Sequence, residues 1–230
     1  DVNLIRIPLS PFKGLDIETP PLGDKKALPV ELIQKIIDIP YREEQKGNGY
    51  TLFNLAKDCF LLSLCFAGMN SVDLFRCDNL SDNVITYYRK KTTSRRPDKA
   101  EMQIRVENCM DRLADKYRDP TGQRLFKFYL RYSTPISFNR ALNEGLRQLS
   151  KELGVEPFVY YAARHSWATI AHSSAVGVDK ATVHDGLNHS DPSMKMTEIY
   201  IKKDWTNIWE ANRKVLNVFD WSELELMYLI

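Results

Sequence analysis

Three stretches of the chain concentrate side chains that could do chemistry on a charged substrate. They are Tyr161-Ala-Ala-Arg164-His165-Ser-Trp-Ala-Thr169, Gly186-Leu-Asn-His189-Ser190 and Thr197-Glu-Ile-Tyr200. A guanidinium presents a planar fork of N–H donors to paired oxyanions, an imidazole can donate one more hydrogen bond, and a phenolic hydroxyl can attack an electrophile. One at a time these residues are ordinary: a single tyrosine is usually a core or surface aromatic, and a single arginine an ion-pair partner. A histidine after Leu-Asn can cap a helix. A fourth stretch, Tyr88-Arg89-Lys90-Lys91-Thr92-Thr93-Ser94-Arg95-Arg96, carries five cations and no anion. On a chain of formal net charge +2, such a run reads either as a local footprint for phosphate or as a solvated hairpin turn.

In this order and at these separations, the residues resemble the signature of the tyrosine recombinases, the phage-integrase family. The resemblance runs from roughly Ala27 to Lys214, and Ala163-Arg164-His165-Ser-Trp-Ala-Thr169 is its most specific block. It implies a mainly α catalytic domain with a small antiparallel β-sheet, acting as a site-specific recombinase on duplex DNA. Arg164 matches the family's second arginine, His189 its last histidine and Tyr200 its nucleophile. The tyrosine would attack phosphorus and form a 3′-phosphotyrosyl ester, which a 5′-hydroxyl later displaces, so that the energy of the phosphodiester is conserved. Arg164 and His189 would donate to the non-bridging oxygens. Lys91, with Lys90 as the alternative, matches the hairpin lysine that protonates the departing 5′-oxygen. Arg89, Lys90, Arg95, Arg96, Arg140 and Lys202 are the expected contacts to backbone phosphates.

Two positions depart from the family pattern. In Gly68-Met69-Asn70-Ser71-Val72-Asp73 the family's other arginine is replaced by Asn70, while Asp73 keeps the acid. The same gap occurs in integrases of the conjugative-transposon type, which the chain resembles more closely than the phage enzymes. One cation is therefore missing from the expected phosphate cradle, and Lys57 is the candidate substitute, a snorkelling surface lysine being the other reading of that position. Tyr161 stands where the family generally has a histidine; it can donate a hydrogen bond but is no base at neutral pH. The resemblance further implies a missing amino-terminal DNA-binding portion and four protomers assembled on two DNA sites, the isolated domain being monomeric. A DNA-binding module that has lost catalysis and a type IB topoisomerase are the rival readings.

The elements that must position these residues follow from pattern. Residues 1–29, rich in Pro and Gly, read as a linker from a preceding portion; 30–219 read as the catalytic domain, and 220–230 as an apolar tail that packs on its own domain or on a neighbouring protomer. Leu32, Ile33, Ile36 and Ile37 fall at helix spacing before Pro40. A helix over about Leu52–Ala67 is apolar nearly all round and should be buried. Val84–Tyr88 is a run of strand formers preceded by Asp82-Asn83, with Met102–Val106 as the return strand across the basic loop. Phe138, Leu142, Leu146, Leu149 and Leu153 make a helical stripe between Pro135 and Gly154. Two more helices are expected around Ala162–Val176 and Trp205–Val218.

Composition adds exclusions. With 230 residues, 43% hydrophobic and 27% charged, the chain can bury a proper core. No apolar run approaches the roughly 20 residues that span a bilayer, and no leader opens the chain, so a cytoplasmic protein with no membrane partner is expected. Cys59, Cys65, Cys77 and Cys109 lack CxxC spacing and read as reduced core thiols. Without a Walker-type loop, a His-Glu-x-x-His or a carboxylate cluster, neither cofactor nor metal is expected.

Overall fold

A computed structural model describes residues 27–43, 51–96, 98–189 and 203–227. They form a mainly helical fold with one three-stranded antiparallel sheet. The centre is α2 (Leu52–Cys65), opened by the Thr51 hydroxyl accepting from Asn54 N. α2 is mostly apolar and is buried from Phe53 to Cys65, its few polar side chains included: α1 (Val30–Asp38), α6 (Pro135–Leu153) and α7 (Ala162–Ala171) all pack around it. The closest crossing is with α6, where a Cβ on Gly145 would lie 2.1 Å from the Leu52 carbonyl oxygen. Only a glycine lets the two helix backbones meet there. α6 begins at a Thr134–Ser137 capping box with Pro135 in the first turn, buries Phe138, Leu142, Leu146 and Leu149, and ends at Gly154 in the left-handed region.

The sheet has the order β1 (Asn79–Ser81), β2 (Val84–Tyr88), β3 (Glu101–Arg105). Asp82 and Asn83, both at positive φ, make the two-residue turn that joins β1 to β2. β2 and β3 pair from Val84↔Arg105 to Tyr88↔Glu101, so β3 starts one residue earlier than its apolar pattern indicates. The intervening basic loop contains one 3₁₀ turn, Thr93–Arg95. Among the described residues, four short helices, α3 (Ser71–Arg76), α4 (Asp111–Lys116), α5 (Phe128–Arg131) and α8 (Lys180–Gly186), precede the last long one, α9 (Trp205–Leu216), and a fifth, α10 (Ser222–Leu226), follows it. α7 is shorter than its pattern suggests, ending at Ala171 with His172 as C-cap, and the chain then turns through Gly177 at φ +69 to Asp179, the N-cap of α8.

The last described residues lie on their own domain. Asp220 N and O pair with the Gln34 amide, and Leu224 is buried against α1. The four cysteines are free thiols. Among the described residues no helix is long and apolar enough to cross a membrane.

Candidate functional site

Arg164 occupies the first turn of α7 and is almost fully buried, at 5% exposure. Its neighbourhood is set by two glycines. The chain leaves α2 through Ala67 and Gly68, both left-handed, and passes so close to α7 that a Cβ on Gly68 would sit 2.6 Å from Arg164 Cα. On the other side, Gly186 at the end of α8 lies flat against the Trp167 ring, where a Cβ would come within 2.6 Å. Trp167 is itself held by Asn212 of α9, whose side chain also donates to the Cys65 carbonyl. Thus α2, α8 and α9 fix the end of α7 that carries Arg164.

The Arg164 guanidinium donates through Nη1 to the Gly68 carbonyl at 3.1 Å and through Nη2 to the Leu187 carbonyl. Leu187 has a second donor. Arg89, one residue beyond β2, turns inward to 5% exposure, and its Nη1 reaches Leu187 O at 3.0 Å and Asn188 O at 3.3 Å. Two guanidinium groups therefore converge on one carbonyl. Arg96 also donates to Asn188 O, at 3.3 Å, while pairing with Asp98. One carboxylate is buried close by: Asp73 accepts from Lys90 N at 2.9 Å, and burial raises its pKa although that N–H, Arg89, Arg164 and Arg76 pull it down. Burial and the adjacent Arg89 likewise lower the pKa of Arg164. Two buried cations facing one buried carboxylate leave the region biased toward accepting an anion. Arg89 Nε, Thr92 Oγ1 and Asn188 Oδ1 are buried without a hydrogen-bond partner among the described residues.

His189 follows directly, its N–H bonded to the His184 carbonyl and its ring edge-on to His184 at 5.3 Å. Partial burial first, then Arg164, His184 and Arg89, push its pKa down to about 4. At neutral pH it is a neutral imidazole with one N–H to donate, not a cation. Lys90 and Lys91 are exposed at the mouth of the basic loop, and an open cleft beside them is lined by Asp73, Arg76, Tyr87, Tyr88 and Lys90. Tyr161 is 42% exposed one turn before Arg164, packed edge-on to His165. Asn70 is half-buried as the N-cap residue of α3, with no side-chain capping bond.

The structure separates some of the expected residues from this cluster. Lys57 is fully buried, and its ammonium donates to Ile37 O at 3.0 Å and Ile39 O at 2.5 Å, with Met227 Sδ at 3.6 Å. It serves the carbonyl-rich C-terminal end of α1, where an orphan-acceptor cluster attracts a cation, and so does not replace the charge missing at Asn70. Arg89 is no surface phosphate contact, because its side chain is interior. Arg96 is half-buried and already paired; Arg140 is exposed on α6. The Arg95 side chain, Tyr200 and Lys202 lie outside the described residues. The chain is described again from Lys203, whose Nζ donates to the Asp185 carbonyl of α8 at 3.4 Å.

Arg89 has a signal in the sequence. Side chains alternate along a strand, so Ile85, Tyr87 and Arg89 share one face and Tyr88 and Lys90 the other; Ile85 and Tyr87 are buried and Arg89 continues their row inward. Asn188 and Gly68 carry no such signal, because their importance arises from contacts 88 and 96 residues away in the chain.

Comparison with protein-family models, with curated proteins and with solved structures finds no match.

Proposed function

We propose that the chain is the catalytic domain of a tyrosine recombinase, which cuts and rejoins duplex DNA through a 3′-phosphotyrosyl intermediate on Tyr200. The observation that carries this reading is the pair of buried guanidinium groups, Arg164 and Arg89, gathered on Leu187 beside His189 and the exposed Lys90–Lys91 corner. A phosphoryl transition state spreads negative charge over its non-bridging oxygens and needs preorganised donors more than it needs a base. In this reading Arg164 holds those oxygens, and Arg89, interior behind it on the Leu187 carbonyl, adds the positive charge that Asn70 lacks without touching the phosphate. His189, neutral, adds one N–H. Lys91 gives the departing 5′-oxygen its proton, with Lys90 as the alternative donor. The mainly helical fold with a small antiparallel sheet agrees with such a domain.

The remaining parts of the proposal follow from the chemistry. Arg95, Arg140 and Lys202 would add phosphate contacts; duplex DNA is the partner, and four protomers would assemble on two sites. Transesterification between a phenol and an alcohol needs no metal or cofactor. The cytoplasm, where DNA is available to a recombinase, is the corresponding location. The test is covalent capture: a pool of nicked duplexes with randomised flanking sequence is incubated with the chain and resolved under denaturing conditions. A recombinase leaves a protein–DNA adduct that survives detergent and disappears with protease. A DNA-binding module without catalysis shifts the pool under native conditions and leaves no adduct.

A further inference from the structure

We propose that Asn188 is a positioning residue which fastens the Lys90–Lys91 loop to the turn carrying His189. The contacts run to both arms of that loop. Asn188 Nδ2 donates to Ala100 O at 2.9 Å and to Glu101 O at 3.3 Å, at the start of β3. Its backbone carbonyl accepts from Arg89, at the exit of β2, and from Arg96, within the loop. Ala100 O is also the acceptor for Arg89 N at 3.0 Å, the bond that closes the base of the loop. Asn188 thus bonds to the same carbonyl that joins the two strands at their open end, and it is 2% exposed. The bonds from Asn188 Nδ2 to Ala100 O and from Arg89 to Asn188 O are buried, where such a bond is expensive to lose, and the other two are part-buried.

The backbone explains why asparagine suits the position. Asn188 has φ +49, in the left-handed region that asparagine tolerates better than other side-chain-bearing residues. Glycine would satisfy the backbone equally and offer no amide. The asparagine therefore adds a tether that the turn itself does not need. Its consequence is a basic loop held in register with His189 before any substrate arrives, so that the lysine reaches the leaving oxygen while Arg164 reaches the non-bridging ones.

This inference rests on the proposed role of the loop lysine as proton donor, and two readouts separate the two. The variant is Asn188→Gly, which keeps the backbone conformation and the carbonyl that Arg89 and Arg96 reach, and removes the two side-chain bonds to Ala100 O and Glu101 O together with an Oδ1 that has no partner among the described residues, so the fold should survive. The first readout needs no activity: limited trypsin digestion at the Lys90–Arg96 segment should accelerate by roughly tenfold, the scale of one or two lost hydrogen bonds, while cleavage elsewhere keeps its rate. An unchanged rate at that segment overturns the tether whatever the chemistry of the protein. The second compares nicked duplexes carrying a normal phosphodiester or a 5′-bridging phosphorothioate, whose sulfur departs without a proton. Asn188→Gly should slow capture of the first by about tenfold or more and of the second by less than about twofold. Equal slowing on both substrates would place the effect in the phosphate cradle and overturn the positioning role. Should the parent chain capture neither substrate, the recombinase reading fails, and the digestion alone decides the tether.

Discussion

Gly68→Ala is the perturbation that most directly probes how the fold positions Arg164. Two costs can be separated. Gly68 has φ +75, and a side chain in the left-handed region costs about 1–2 kcal/mol. The new Cβ would also lie 2.6 Å from Arg164 Cα, 2.7 Å from Cγ and 2.8 Å from Cβ. Comfortable carbon–carbon contact begins near 3.5 Å, so α7 or the Gly68 turn must retreat by roughly 0.8 Å. Overpacking of that kind costs about 1–3 kcal/mol, for a total of about 2–5 kcal/mol. The same retreat stretches the Arg164 Nη1 to Gly68 O bond, now 3.1 Å, out of hydrogen-bonding range, and a misplacement near 1 Å in a catalytic cradle can cost about 100-fold in rate. Gly154→Ala is the control: Gly154 also has positive φ, +66, but a Cβ there meets nothing within 4 Å. Urea denaturation of both variants, with capture rates corrected for folded fraction, makes the comparison. Gly68→Ala should lose at least about 1 kcal/mol more than Gly154→Ala and most of its capture activity. Equal losses in the two would refute the argument that close approach to α7 is what Gly68 provides.

Three further outcomes follow from the same geometry. Arg164→Lys should be nearly as slow as Arg164→Ala in covalent capture, because an ammonium cannot reach Gly68 O and Leu187 O as a fork does; a lysine variant retaining most activity would make charge alone sufficient. Arg89→Met, which keeps volume and removes the second guanidinium, should slow capture by about 100-fold or more while DNA affinity at fixed salt changes little, whereas a surface phosphate contact would show the reverse in a binding titration. Lys57→Met tests the buried ammonium through pH. Desolvation, the largest influence, lowers the Lys57 pKa from 10.5 to about 8. Between pH 8 and 10.5 the unfolded chain then binds more protons than the folded one, so the parent gains stability across that window relative to Lys57→Met, by up to about 3 kcal/mol. Below pH 8 the difference should be flat. A difference that does not change between pH 8 and 10.5 would contradict the burial of a charged Lys57.

The fold was legible where a single period ran long. The stripe Phe138, Leu142, Leu146, Leu149 between Pro135 and Gly154 fixes α6, and the apolar run from Leu52 fixes a buried α2. The short pieces were not legible: β1 has only Asn79, Leu80 and Ser81, with no apolar alternation, and α8 is seven residues long and opens on the Asp179 cap. These depend on tertiary contacts that a local pattern does not encode. Arg164 and His189 are adjacent to the shared Leu187 carbonyl, as the spacing of their motifs allowed. Lys57 went astray for a physical reason. On a mostly apolar helix a lysine reads as snorkelling to the surface or reaching toward an anion, yet its stem takes the ammonium back to the α1 carbonyls, and the neighbouring Asp58, fully buried, is satisfied by Tyr41, Lys116 and Tyr117. By composition Arg89 belongs with the exposed cations of the basic run; strand alternation after Ile85 and Tyr87 is what turns it inward.

The central claim is that Tyr200 forms the covalent bond to DNA, and the most direct measurement is identification of the adducted peptide. The chain is incubated with the nicked, sequence-randomised duplex pool, digested with protease and nuclease, and the modified peptide is located by mass spectrometry. The account predicts a phosphotyrosyl residue at Tyr200 and no adduct from Tyr200→Phe, a change that removes one hydroxyl and little volume and should leave stability within about 1.5 kcal/mol of the parent. An adduct on any other tyrosine, or an undiminished adduct in Tyr200→Phe, would contradict it.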